Sequence, residues 1–144
     1  MRTITLAVAT AATMLGGGAA YAASPMPMDN PVSIDGTETV CTGIGEEAQT
    51  DPRWPAYPIR LEFSNGGSQY LSGAHVTLKN AEGKTLADLD CAGSWVLFKL
   101  APGNYAVSAS LLWQASETRS AKFSTPATGQ KRVVLQFTNI APNQ

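Results

Sequence analysis

Charge is scarce in this chain. Ten Lys and Arg stand against eleven Asp and Glu in 144 residues, so charged side chains make up 15%, well below the usual share in soluble domains. The net charge of −1 excludes the basic field of a nucleic-acid binder. It also gives no electrostatic pull toward an anionic membrane surface. Histidine is scarcer still: His75 is the only one, and no GxSxG, GxGxxG, HxxE or CxxC motif is present. A serine triad needs an imidazole beside its nucleophile, so one histidine leaves little room for that chemistry. The carboxylates Asp88 and Asp90 share one side of an expected strand. Such a pair suits glycoside hydrolysis or calcium, yet exposed strand acids ordinarily remain solvated ions. No catalytic residue, metal or cofactor is therefore expected.

Long apolar runs are also missing. Ile4–Leu15 is uncharged but only 12 residues long, too short to cross about 30 Å of hydrocarbon as a helix. Arg2 precedes it, Gly16–Gly18 ends it, and Ala20-Tyr21-Ala22 supplies the small-x-small pattern of a secretory signal. Residues 1–22 are expected to be an export leader cleaved after Ala22. No later run is long enough to span a membrane, so no span is expected in the mature protein, which would be periplasmic or secreted.

Cysteine is limited to Cys41 and Cys91. In an oxidising compartment an even count argues for one disulfide. Metal binding with His75, a redox pair and two free thiols are the alternatives.

What is abundant is turn chemistry, with 13 Gly and 9 Pro. Residues 23–56 read as a leader. Ser24–Pro31 holds three prolines and is expected to be flexible or extended, Met26 and Met28 included. Val32–Val40 is polar and turn-prone around Asp35-Gly36. Gly43 and Gly45 suit a turn, and Glu46-Glu47 can open a short helix, where acids favour the positive end of its dipole.

From Tyr57 the period becomes two. Ile59, Leu61 and Phe63 alternate with Arg60 and Glu62; Ala74, Val76 and Leu78 alternate with His75, Thr77 and Lys79. Short strands follow at Thr85–Leu89, Trp95–Leu100, Tyr105–Leu111, Arg119–Ser124 and Arg132–Phe137. Asn65-Gly66-Gly67, Ala81–Lys84 and Ala101–Asn104 separate several of them. Seven strands at about ten-residue spacing predict an all-β, antiparallel sandwich over residues 57–140. Trp95 and Tyr105 are assigned to its core. Pro102 and Gly103 form a turn in which Gly103 takes a positive φ.

The stretch GAHVTLKNAEGKTLADLDCAGSWVLFKLAPGNYAVSA, Gly73–Ala109, resembles the carboxypeptidase regulatory-like domain, a transthyretin-like β-sandwich. The resemblance rests on Gly73–Leu78, the Asn80–Gly83 hairpin, Trp95-Val96-Leu97, and Leu100-Ala101-Pro102-Gly103-Asn104-Tyr105-Ala106-Val107. With VCTGIGEE added, Val40–Thr138 is similar to small exported bacterial members of that class. The resemblance implies a transthyretin-like or Ig-like fold in which Trp95, Leu97, Leu100, Pro102, Gly103 and Tyr105 are fold-determining. It implies no peptidase activity. The expected function is a non-enzymatic binding or structural module of the cell envelope, contacting a protein partner as an accessory component. Carbohydrate binding through the loop aromatics Trp54, Tyr57, Tyr70 and Trp113 is the alternative.

Overall fold

A computed structural model describes residues 24–138. The expected export leader, residues 1–22, and the last expected sandwich residues, 139 and 140, lie outside that range. Among the described residues there are ten strands: β1 (Ser24–Pro25), β2 (Val32–Ile34), β3 (Thr37–Thr42), β4 (Ile59–Ser64), β5 (Ala74–Asn80), β6 (Thr85–Cys91), β7 (Trp95–Phe98), β8 (Gly103–Leu111), β9 (Gln114–Thr125) and β10 (Lys131–Gln136). They form two five-stranded sheets, ordered β1-β6-β5-β8-β9 and β10-β4-β7-β3-β2. The protein is an all-β sandwich.

All seven expected strands appear, and three more precede them. Asp35 and Gly36 both take positive φ, 47° and 86°, which is what a two-residue hairpin requires. They join β2 to β3 with Ile34 opposite Thr37. β3 escaped the alternation test because Thr37, Thr39 and Thr42 are polar by composition yet buried; β-branched threonine suits a pleated strand. The sandwich therefore draws strands from the segment expected to precede it. The proline-rich leader is pinned. β1 pairs with β6, the Met26 amide donates to the Asp90 carbonyl at 3.0 Å, and Met26 is buried. The Met28 sulfur lies 3.4 Å from Cys41 Sγ, so Met28 packs against the disulfide.

Among the named strands the pairing is antiparallel except at two places. β1 runs parallel to β6, and β10 parallel to β4 with Arg132 opposite Arg60. β10 crosses from the first sheet to the second after β9, and reaches the open edge of β4 in the same direction as β4.

The core lies between the sheets. Ile59, Leu61 and Phe63 meet Val76, Leu78, Val107 and Leu111 there, the set the alternation selected. Trp95 needs correction. It is buried, but Val96 and Phe98 are the β7 residues that enter the inter-sheet core. Strand parity turns Trp95 and Leu97 to the outer face of the second sheet, where Leu97 joins Val40, Trp54 and Tyr57 in a separate cluster. Leu100 reaches the core as expected. Tyr105 is half-buried against it, and its hydroxyl donates to the Ala101 carbonyl at 2.7 Å. Gly103 also needs correction. It opens β8 and is not among the glycines of positive φ. A Cβ there would sit 3.6 Å from the Tyr105 ring, an ordinary van der Waals contact, so neither turn geometry nor close packing demands glycine at this position.

Cys41 on β3 and Cys91 on β6 form a disulfide, with Cα atoms 5.5 Å apart and a sequence separation of 50. The bond joins the two sheets. It removes the metal-ligand and free-thiol alternatives for these residues.

Candidate functional site

The outer face of the second sheet is only half covered. The segment carrying helix α1 (Glu46–Gln49) and a 3-10 turn at Trp54–Ala56 folds back over Val40 and Leu97. Trp54 is 2% exposed and Tyr57 5%. The Trp54 indole donates to the Ala48 carbonyl at 2.7 Å, and Gln130 bonds the carbonyls of Trp54 and Tyr57. Burial, together with the Glu38 carboxylate, pushes the Tyr57 hydroxyl up to about 12. Sequence places these two aromatics in or beside loops, as candidate ligand contacts or as packing over the end of the sandwich. They are instead the lid over an otherwise bare sheet face and present no ring to a ligand.

Beyond the lid lies an ion cluster. Glu62 points away from the inter-sheet core, as its parity requires, yet it is 0% exposed. Arg60 Nε donates to its Oε2 at 2.8 Å, and Arg132 Nη2 to its Oε1 at 2.8 Å, with Arg132 Nε also on Oε2. Burial pushes the Glu62 carboxyl up, but bonds from Arg132 and Tyr70 and the charge of Arg60 outweigh it and hold the group below its ordinary value. Arg132 is held more firmly protonated by the same carboxylate. The Arg60 guanidinium lies 4.3 Å over the Trp95 ring, and Tyr70 meets that ring edge-on at 5.8 Å. Both carboxylate oxygens are thus engaged, which suits an anchor between β4 and β10 better than a proton acceptor. A cleft of about 260 Å³ borders the cluster, lined by Ser64, Ser68, Gln69 and Gln136 among others.

Trp113 and its neighbour Leu112 are 41% and 48% exposed at the tip of the β8–β9 hairpin. The indole of Trp113 donates to the Ser72 carbonyl at 3.1 Å and its ring lies beside Gly73. Trp113 therefore stands exposed and Tyr70 half-buried, whereas Trp54 and Tyr57 are buried.

His75 faces outward from the first sheet, as expected. The β5–β6 register sets it opposite Asp90. Its Nδ1 lies 2.8 Å from Asp90 Oδ1 and its Nε2 2.9 Å from Asp88 Oδ1. The imidazole separates the two carboxylates that sequence placed on one side. Among the described residues no group of three or more His, Cys, Asp or Glu could hold a metal ion.

The least covered element is β9. Its twelve residues pair only with β8, and Gln114–Ser120 are exposed or half-exposed. Only Phe123 and Thr125 are buried. The carbonyls of Thr118 and Ser124, of the same parity, accept from the side chains of Arg119 and Lys131, as carbonyls on a free edge do. A register shift at Ser110/Leu111 leaves Ala115, Ser116 and Glu117 without a partner on β8. Sequence reading began this strand at Arg119, because Gln114–Thr118 has no apolar alternation.

No family model matches the chain, and no curated protein or solved structure matches it either. Among the described residues no helix is long and apolar enough to cross a membrane.

Proposed function

We propose that this protein is an exported, non-enzymatic binding module, of carboxypeptidase regulatory-like type, that engages a protein partner by strand addition at β9. The carrying observation is the twelve-residue edge paired on one side only. Unpaired strand edges are templates for another chain's backbone, and strand addition converts that into affinity through main-chain hydrogen bonds. The Cys41–Cys91 disulfide supports an oxidising compartment, in keeping with the secretory pattern of residues 1–22.

A photo-crosslinker at exposed Ser120 tests the reading in the envelope of cells that export the protein. One dominant crosslinked product is expected, and Thr118→Pro should abolish it, because proline removes an edge donor that a partner strand would use. A Thr118→Pro chain with an unchanged thermal melt and undiminished crosslinking would count against the reading, as would the lack of any discrete product with the unmutated β9.

A further inference from the structure

The sequence of β9 carries a pattern of its own. Ala115-Ser116-Glu117-Thr118-Arg119-Ser120-Ala121 reads alike in both directions from Thr118. The one departure is Glu117 against Arg119, residues of opposite charge. We infer that the strand taken up by β9 is the β9 of a second copy of this chain, paired antiparallel about a two-fold axis through Thr118. This rests on the strand-addition reading and names its partner.

The geometry follows from the register. A two-fold axis at Thr118 sets Thr118 opposite the partner's Thr118, Ser116 opposite the partner's Ser120 and Ala115 opposite the partner's Ala121. Glu117 then faces the partner's Arg119, and the reciprocal pair repeats across the axis, as an isologous interface demands. Opposite charges directly across a strand pair stabilise it, and like charges destabilise it. Neighbouring registers lose this match. An axis through Arg119 sets Arg119 against the partner's Arg119, and one through Glu117 sets Glu117 against the partner's Glu117. The charges therefore select the register as well as the partner.

The single copy holds these groups in a substitute arrangement. Arg119 Nη1 pairs with Glu117 Oε2 of its own strand at 3.1 Å, with both side chains about one-third exposed (33% and 39%). Arg119 Nε also donates to the Gln136 carbonyl on the adjoining edge of the second sheet. Both members of the ion pair thus already stand at the open edge, each within reach of a second strand. Ala115–Glu117, which the register shift leaves without a partner on β8, would gain their only ladder pairing from such a strand. A single strand pair is a small interface, so the association is weak and concentration-dependent.

Charge exchange tests the inference on the full exported chain by sedimentation over a wide concentration range. The wild type is expected to show a monomer–dimer equilibrium. Arg119→Glu and Glu117→Arg should each weaken self-association roughly tenfold or more, because each sets like charges across the axis twice. Mixing the two variants should restore dimerisation, since every facing pair is then opposite in charge. A wild type that stays monomeric throughout would overturn the inference, and so would a mixture that associates no better than its components. A monomeric wild type that still crosslinks through Ser120 to a different protein overturns self-pairing and leaves strand addition standing.

Discussion

Replacing Cys41 and Cys91 together by alanine should lower the unfolding free energy by about 4 kcal/mol and the melting temperature by roughly 15 °C. The bond closes a 50-residue loop, so its removal returns a large closure entropy to the unfolded chain. It also joins β3 of one sheet to β6 of the other, and both cysteines are fully buried. The surroundings leave little slack. A Cβ on Gly93, the second residue after Cys91, would stand 2.2 Å from the Thr42 carbonyl oxygen. The Gly93 amide in turn points at Cys41 Sγ from 3.4 Å. The sheets are held in close contact here, and the alanine pair removes sulfur volume as well as the link. Thermal melts of the oxidised wild type and the double variant check this. A shift of only a few degrees would mean that the packing around Met26 and Met28 holds the sheets together without the bond.

Glu62→Gln should cost about 3 kcal/mol at neutral pH, the scale of removing one partner from a buried ion pair. The amide keeps the shape but loses the charge that holds Arg60 and Arg132. The pH dependence separates charge from shape. The folded carboxyl lies below its ordinary value, so its contribution is full above the unfolded value and is lost as pH falls through the depressed folded one. The gap in stability between wild type and Glu62→Gln should therefore narrow in acid, below the ordinary glutamate range. Urea titrations at a series of pH values measure it. A gap that stays constant down to strongly acidic pH would show that the loss comes from packing and not from the ion pair.

The cluster illustrates what alternation can and cannot say. Parity correctly turned Arg60 and Glu62 away from the inter-sheet core. It could not say that the outward face is itself covered, because the cover comes from Trp95, Tyr70 and Arg132, distant in sequence. What Trp54 and Tyr57 cover was illegible for the same reason: prolines at 52, 55 and 58 mark an irregular segment, and nothing local shows that Val40 and Leu97 need a lid. β3 was missed because its buried residues are largely threonines. The Asp35-Gly36 turn beside it was legible, and the hairpin it closes was not inferred. His75 shows the boundary most plainly. Its face and that of Asp88 and Asp90 were legible; only the β5–β6 register brings the ring between them. In β9 the apolar alternation that marks a strand was absent from Gln114–Thr118, because that half faces no core. Its pattern of charge and small residues about Thr118 is what makes it informative.

Hydrogen exchange along β9 tests the central claim most directly. Amides of Gln114–Thr125 should exchange quickly in dilute protein wherever they face the free edge. Raising the concentration of the full chain should slow the edge-facing amides on both sides of Thr118, while the amides of β5 in the sheet interior stay unchanged. Slowing confined to β9 and centred on Thr118 is the predicted result. Equal exchange of β9 at every concentration, in a chain that also gives no Ser120 crosslink, would contradict the account.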